Sequence, residues 1–213
     1  MRAYGTPEKR PRGSVLDGLV GTILSQNTTG TNARAAFDEL KGRFPTWAAC
    51  LDADPRDVVD SIRSAGLAQL RGPRIQAILR SIEDSLGELD LDFVCEMPPP
   101  EASEYLQQFN GVGPKTASCV LLFTCGRHVF PVDTHVDRIA KRLGWVSEEM
   151  APEAIQHLLE PLIAGPSRLA LHVNLINLGR AVCRARKPKC HECPLLEQCP
   201  SGRAVTSGLT EEV

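Results

Sequence analysis

The chain has 213 residues, 42% hydrophobic and 23% charged, with a formal net charge of −2. This is enough chain to bury a sizeable core in one or two domains, and no apolar run approaches the ~20 residues that cross a bilayer, so no membrane partner is expected. A charge so near zero gives no global sign of a nucleic-acid partner, and such a sign must come from where the charges sit.

Glycine and proline punctuate segments that read as helix, and no alternation of period two marks a strand, so an all-α fold is expected. Ser14 predicts the N-cap of an apolar helix running to about Ser25. Ala35, Ala36, Leu40 and Phe44 recur at helical spacing over Asn32–Phe44, which Pro45 ends. Shorter helices are expected at about Thr46–Leu51, Pro55–Ser64 and Pro73–Leu86, with Arg71-Gly-Pro-Arg74 as a small basic cluster. Met97-Pro-Pro-Pro100 is a stiff connector that cannot be helical inside. Helices follow at about Glu101–Phe109, Pro114–Thr124, Thr134–Leu143, Pro152–Leu162 and Ser167–Arg180, and the residues after Ser201 read as a disordered tail. The chain opens MRAYGTPEKRPRG with no apolar run, which leads us to expect a reducing, cytoplasmic compartment. Cys50, Cys95, Cys119 and Cys125 are then expected to be free and packed in the core.

Cys183, Cys190, Cys193 and Cys199 follow the pattern C-x6-C-x2-C-x5-C near the end of the chain. One short loop can wrap four thiolates around a single centre, which suits tetrahedral zinc or an iron–sulfur cube. The spacing alone leaves both metals open. Two disulfides fit less well in a reducing compartment. Five basic residues and no acid lie from Arg180 to Lys189 (Arg180, Arg184, Arg186, Lys187 and Lys189), forming either a solvated loop or a track for phosphates.

Phe109-Asn-Gly111-Val-Gly113-Pro114-Lys115 reads as a glycine hairpin between two helices. Gly111 and Gly113 let the backbone approach another surface, and the N–H groups opening the second helix form an anion site. Lys115 stands in that first turn, where the helix dipole disfavours its cation and favours the neutral, nucleophilic amine. A lysine reaching a phosphate is the plainer reading. Eighteen residues on, in Val132-Asp133-Thr134-His135, Asp133 suits the N-cap of the next helix. Capping is a sufficient reason for it, although a capping carboxylate can also stabilise an oxocarbenium ion or shuttle a proton.

Taken together, the hairpin with its lysine, the V-D-T-H segment and the four-cysteine pattern resemble the endonuclease III branch of the helix–hairpin–helix DNA glycosylases, over about Ser14 to Pro200. The resemblance implies a bifunctional DNA glycosylase and abasic-site lyase of base excision repair, acting on oxidised pyrimidines in duplex DNA. It implies a [4Fe-4S] cluster on the four cysteines, with Lys115 as Schiff-base nucleophile and Asp133 as catalytic aspartate. It also implies two all-α lobes with DNA across the cleft between them: a helical barrel over 14–130, and a cluster domain of 1–13 with 131–200, leaving 201–213 as tail. Ile23-Leu-Ser25-Gln26-Asn27-Thr-Thr29-Gly30 is similar to the family loop that fills the gap left by the flipped base. Asn27 rather than Gln26 takes the gap-filling place, and Gly30 replaces an aspartate. Leu67 resembles the wedge that enters the opposite strand, beside the reading of a plain core leucine. Ser25 and His135 are candidates for the lesion pocket, and Arg184, Arg186, Lys187 and Lys189 for the phosphate backbone. A monomer is expected, nucleoid-associated in a bacterium. A monofunctional mismatch glycosylase or a non-catalytic damage binder are the rival readings.

Overall fold

The computed structural model describes Tyr4, Gly5, Pro7 and residues 13–208. Among the described residues all regular structure is helical. The chain divides into two compact units, Pro11–Arg127 and Met1–Arg10 with His128–Val213.

The first unit is built around α1 (Val15–Ser25). Val15, Leu16, Leu19, Val20, Ile23 and Leu24 are all buried, a breadth of apolar surface that suits a helix enclosed by neighbours rather than one lying on a surface. Ser14 caps it by accepting from Asp17 N, as the sequence predicts. Helix α1 packs against α2 (Gly30–Arg43), α5 (Ala68–Leu86) and α7 (Pro114–Phe123), while α3 (Trp47–Asp52) and α4 (Pro55–Ser61) pack on α5, and α6 (Pro99–Gln107) packs on α7. Gly18 lets α1 close onto the end of α7: a Cβ there would clash with Thr124 Oγ1.

Three expectations are corrected in this unit. Helix α5 begins five residues before Pro73, so that proline lies inside it. The only intrahelical bond its missing N–H forfeits points back to Gln69, an exposed residue whose carbonyl water can satisfy. Second, Arg71 is not part of a solvated basic cluster but is 2% exposed. Third, Cys95 and Cys125 are joined in a disulfide, the Asp92–Cys95 turn lying where its last residue meets the chain leaving α7. Cys50 and Cys119 are buried in the core, as expected, and form no disulfide.

The second unit holds α8 (Thr134–Arg142), α9 (Pro152–Leu159), α10 (Arg168–Ala181) and α11 (Pro200–Thr206). Its core gathers Phe130, Val136, Ile139, Ile155, Leu159, Leu175 and Leu178. Helix α11 corrects the expected disordered tail. Pro200 occupies its first position and the Cys199 thiol accepts from Gly202 N at 3.2 Å, so the chain is helical through Thr206. Residues 209–213 lie outside the described residues.

Candidate functional site

The hairpin between α6 and α7 forms as its glycines dictate. Gly111 adopts φ 82°, a left-handed conformation that costs glycine little, and a Cβ on it would fall 2.6 Å from the Arg74 guanidinium. Val112 is buried and its N–H bonds Phe109 O at 3.0 Å, anchoring the turn. Helix α7 starts at Pro114 with Gly113 as a cap that supplies no side-chain acceptor. The N–H groups of Lys115 and Thr116 therefore have no acceptor among the described residues, and they open an anion site. Lys115 is half-buried in that turn, with no carboxylate partner among the described residues.

The loop after α1 is tied to that turn. Gln26 Nε2 donates to Thr116 Oγ1 at 3.1 Å, which holds the Gln26 side chain inward, while Asn27 is exposed at φ 50°. Ser25 spends its hydroxyl on Thr22 O at 2.7 Å. Gly30 opens α2 in free space, with nothing within 4 Å of a built Cβ. Leu67 precedes α5 at φ 51° and is 55% exposed, which removes the core-leucine reading. Sequence reasoning missed Arg71. It donates to the carbonyls of Leu24, Ala65 and Gly66 at 3.2, 2.8 and 2.9 Å, and to that of Gln26. Burial, and after it the charge of Arg74, weigh against its cation, yet the bonds to four carbonyls keep it in place.

In the second unit Asp133 caps α8. Its Oδ1 accepts from His135 N and Val136 N, both at 2.9 Å, and Oδ2 has no hydrogen-bond partner among the described residues. His135 packs on Gly179, where a Cβ would stand 2.6 Å from Nδ1, and Nδ1 lies 3.0 Å from Arg138 Nη2. Burial is the main cause that lowers its pKa.

The four cysteines Cys183, Cys190, Cys193 and Cys199 line one cavity of about 750 Å³. Among the described residues no three Cys, His, Asp or Glu side chains stand in an arrangement that would hold one metal ion. Arg142 serves two of them: its Nη1 donates to Cys183 Sγ at 3.3 Å and its carbonyl accepts from Cys199 Sγ at 3.2 Å. Burial first and the neighbouring thiols next push the Cys190 thiol up in pKa, so a cationic group in the cavity would relieve the repulsion among ionised sulfurs. Arg142 also donates to Arg184 O and Ala185 O at 2.7 and 3.1 Å, fixing the basic loop. Arg184, Arg186 and Lys187 are exposed on it, whereas Lys189 is paired with Glu192 at 3.1 Å.

Residues 20–164 match the family model described as HhH-GPD superfamily base excision DNA repair protein, and residues 183–199 match that of the iron-sulfur binding domain of endonuclease III. A putative DNA glycosylase of Arabidopsis thaliana is 47% identical over 62% of this chain, and the match covers 45% of that protein's own length. The endonuclease III of Sulfolobus acidocaldarius is 34% identical, with 85% of this chain and 79% of that protein covered. Among solved structures, that of a non-covalent endonuclease III–DNA complex superposes with a TM-score of 0.81 at 25% identity, covering 95% of this chain and 90% of that one.

Proposed function

Because this chain belongs to the endonuclease III family of HhH-GPD base excision DNA repair proteins, we propose that it is a bifunctional DNA glycosylase and abasic-site lyase, acting as a monomer on oxidised pyrimidines in duplex DNA. The observation that carries the reading is Lys115, whose amine has no carboxylate partner among the described residues and stands in the first turn of a helix opened by the glycine hairpin. A lysine that served the fold would sit in an ion pair or at a helix C-terminus.

The chemistry follows from those groups. The lesion nucleotide leaves the stack, at a cost of a few kcal/mol that is lowest for damaged pairs. The Lys115 amine attacks the sugar C1′, the glycosidic bond breaks, and the base departs with a proton taken from solvent. The attacking nitrogen loses its own proton, the sugar ring opens, and a Schiff base forms between Lys115 and C1′. That cationic imine acidifies C2′; removal of a C2′ proton expels the 3′ phosphate oxygen and cuts the strand. To the Asp133 carboxylate, whose Oδ1 is spent on its cap and whose Oδ2 has no hydrogen-bond partner among the described residues, we assign stabilisation of the oxocarbenium character of C1′. The hairpin N–H groups hold a backbone phosphate and read no base.

Four thiols lining one cavity, together with the likeness of residues 183–199 to the iron-sulfur binding domain of endonuclease III, support a [4Fe-4S] cluster on Cys183, Cys190, Cys193 and Cys199. When bound it supplies shape and charge, with Arg142 linking its ligands to the basic loop.

Borohydride trapping on duplexes carrying thymine glycol or an abasic site, with Lys115→Ala beside the unaltered protein, tests the reading. A covalent adduct that vanishes in the variant is the expected result. Base release without an adduct would leave a monofunctional glycosylase, and binding without either a damage-binding protein.

A further inference from the structure

We infer that Arg71 is a positioning residue that locks two exposed loop tips, Asn27 and Leu67, into a single wedge for opening the duplex. The inference rests on the reading of the chain as a DNA glycosylase. It starts from the four carbonyls that Arg71 grips. Gln26 O belongs to the peptide that leads into Asn27, and Gly66 O to the peptide that leads into Leu67. Leu24 O lies just behind the first in the last turn of α1, and Ala65 O just behind the second at the end of the short Arg63–Ala65 turn. One guanidinium therefore holds the peptide immediately before each tip.

Packing alone does not call for this arrangement. A buried cation is usually balanced by a carboxylate, but among the described residues the hydrogen bonds of Arg71 all go to backbone carbonyls. What arginine offers over an apolar side chain is a rigid, planar fork that can bind several acceptors at once with fixed angles. Lysine, with one ammonium on a flexible stem, cannot span both loops in the same way.

The tips themselves are built for contact outside the chain. Asn27 at φ 50° and Leu67 at φ 51° both occupy the left-handed region, which disfavours a leucine in particular. Leu67 is 55% exposed, and Leu70, one turn along α5, is 63% exposed. Strained, exposed apolar side chains at a loop tip suit insertion between base steps. Insertion pushes on the tip, and a tip that yields cannot hold the stack apart. Arg71 turns two separate tips into one unit with a shared support.

The test reads DNA opening separately from chemistry. A 2-aminopurine beside a thymine glycol pair brightens when the stack opens, and borohydride trapping on a preformed abasic site reads the lysine chemistry with no base to displace. Arg71→Lys should cut the fluorescence rise at saturating protein by about tenfold, as expected for a tightly coupled site, and trapping by less than about twofold. In an Asn27→Ala/Leu67→Ala background, Arg71→Lys should cause no further loss, since the tips through which it acts are gone. An equal loss in that background would make Arg71 ordinary structural support, and an undiminished rise in Arg71→Lys would remove its role; either overturns the inference. Should the lysine variant not fold, the tips are tested against each other: Asn27→Ala and Leu67→Ala should each abolish most of the rise, and additive losses would overturn a shared support. If the unaltered protein binds but gives neither rise nor adduct, the glycosylase reading itself fails, and this inference with it.

Discussion

Gln26 and Thr116, ninety positions apart in the chain, meet through a 3.1 Å side-chain hydrogen bond. It fastens the loop after α1 to the first turn of α7, one residue from Lys115. Thr116 is 5% exposed, so removing the amide leaves a buried hydroxyl short of a partner. Gln26→Ala should lower stability by about 1 kcal/mol, or about 2–4 °C in Tm, measured by thermal denaturation. Gln26→Glu lets the threonine hydroxyl donate to the carboxylate and should recover most of that loss. A larger fall in base release than in Tm would mark the bond as part of the DNA-facing loop.

Asp133 carries two duties that one pair of variants separates. Both cap bonds go to Oδ1, and an asparagine carbonyl caps about as well as a carboxylate. Asp133→Asn should therefore keep the unfolding free energy within about 0.5 kcal/mol while base release falls sharply. Asp133→Ala should lose about 1 kcal/mol as well as activity. Equal stability in both variants, or retained activity in the asparagine variant, would contradict the division of labour.

How much of this was legible in the sequence depends on how local the cause is. The caps at Ser14 and Asp133, the glycine hairpin and the proline openings of α4, α7 and α9 could be read because a few neighbouring residues determine them. Arg71 could not, since its partners come from two loops up to 47 positions away and only the folded chain brings them together. The early start of α5 is hidden by Pro73, because a proline favours the first turn of a helix and yet has helical neighbours on both sides here. The helix after Cys199 escaped because its cap is a thiol, which rules for capping residues do not count. Lys189 read as one more free cation until the Glu192 turn folded back on it.

The Cys95–Cys125 bond closes a segment of sequence separation 30, and chain entropy for a loop of this size corresponds to about 3–4 kcal/mol. Reduction with dithiothreitol should lower the denaturation midpoint accordingly. A Cys95→Ala/Cys125→Ala variant should start from that lower stability and show no further response to reductant. Since Asp92, three residues before Cys95, accepts from Val15 N at the start of α1 at 2.6 Å, the loss should show as faster hydrogen exchange at that end of the helix. A reductant-insensitive midpoint in the unaltered protein would contradict a closed disulfide.

The basic loop makes a graded prediction, because its cations are not equivalent. Arg184, Arg186 and Lys187 are exposed with no carboxylate partner among the described residues, whereas Lys189 is bonded to Glu192. Each phosphate a cation neutralises contributes about 0.9 to the slope of log affinity against log salt. Arg186→Ala/Lys187→Ala should thus flatten that slope by about 1.8 and weaken binding to all duplexes alike. Lys189→Ala should change it less, since that ammonium already has a counter-charge, and Glu192→Gln should steepen it by releasing Lys189 toward the DNA. The last variant needs a control, because removing an acid strengthens any electrostatic contact nonspecifically. Combined with Lys189→Ala, the Glu192→Gln change should keep only that small general effect, and a steepening of the same size in both backgrounds would mean that the pair has no part in holding Lys189 back.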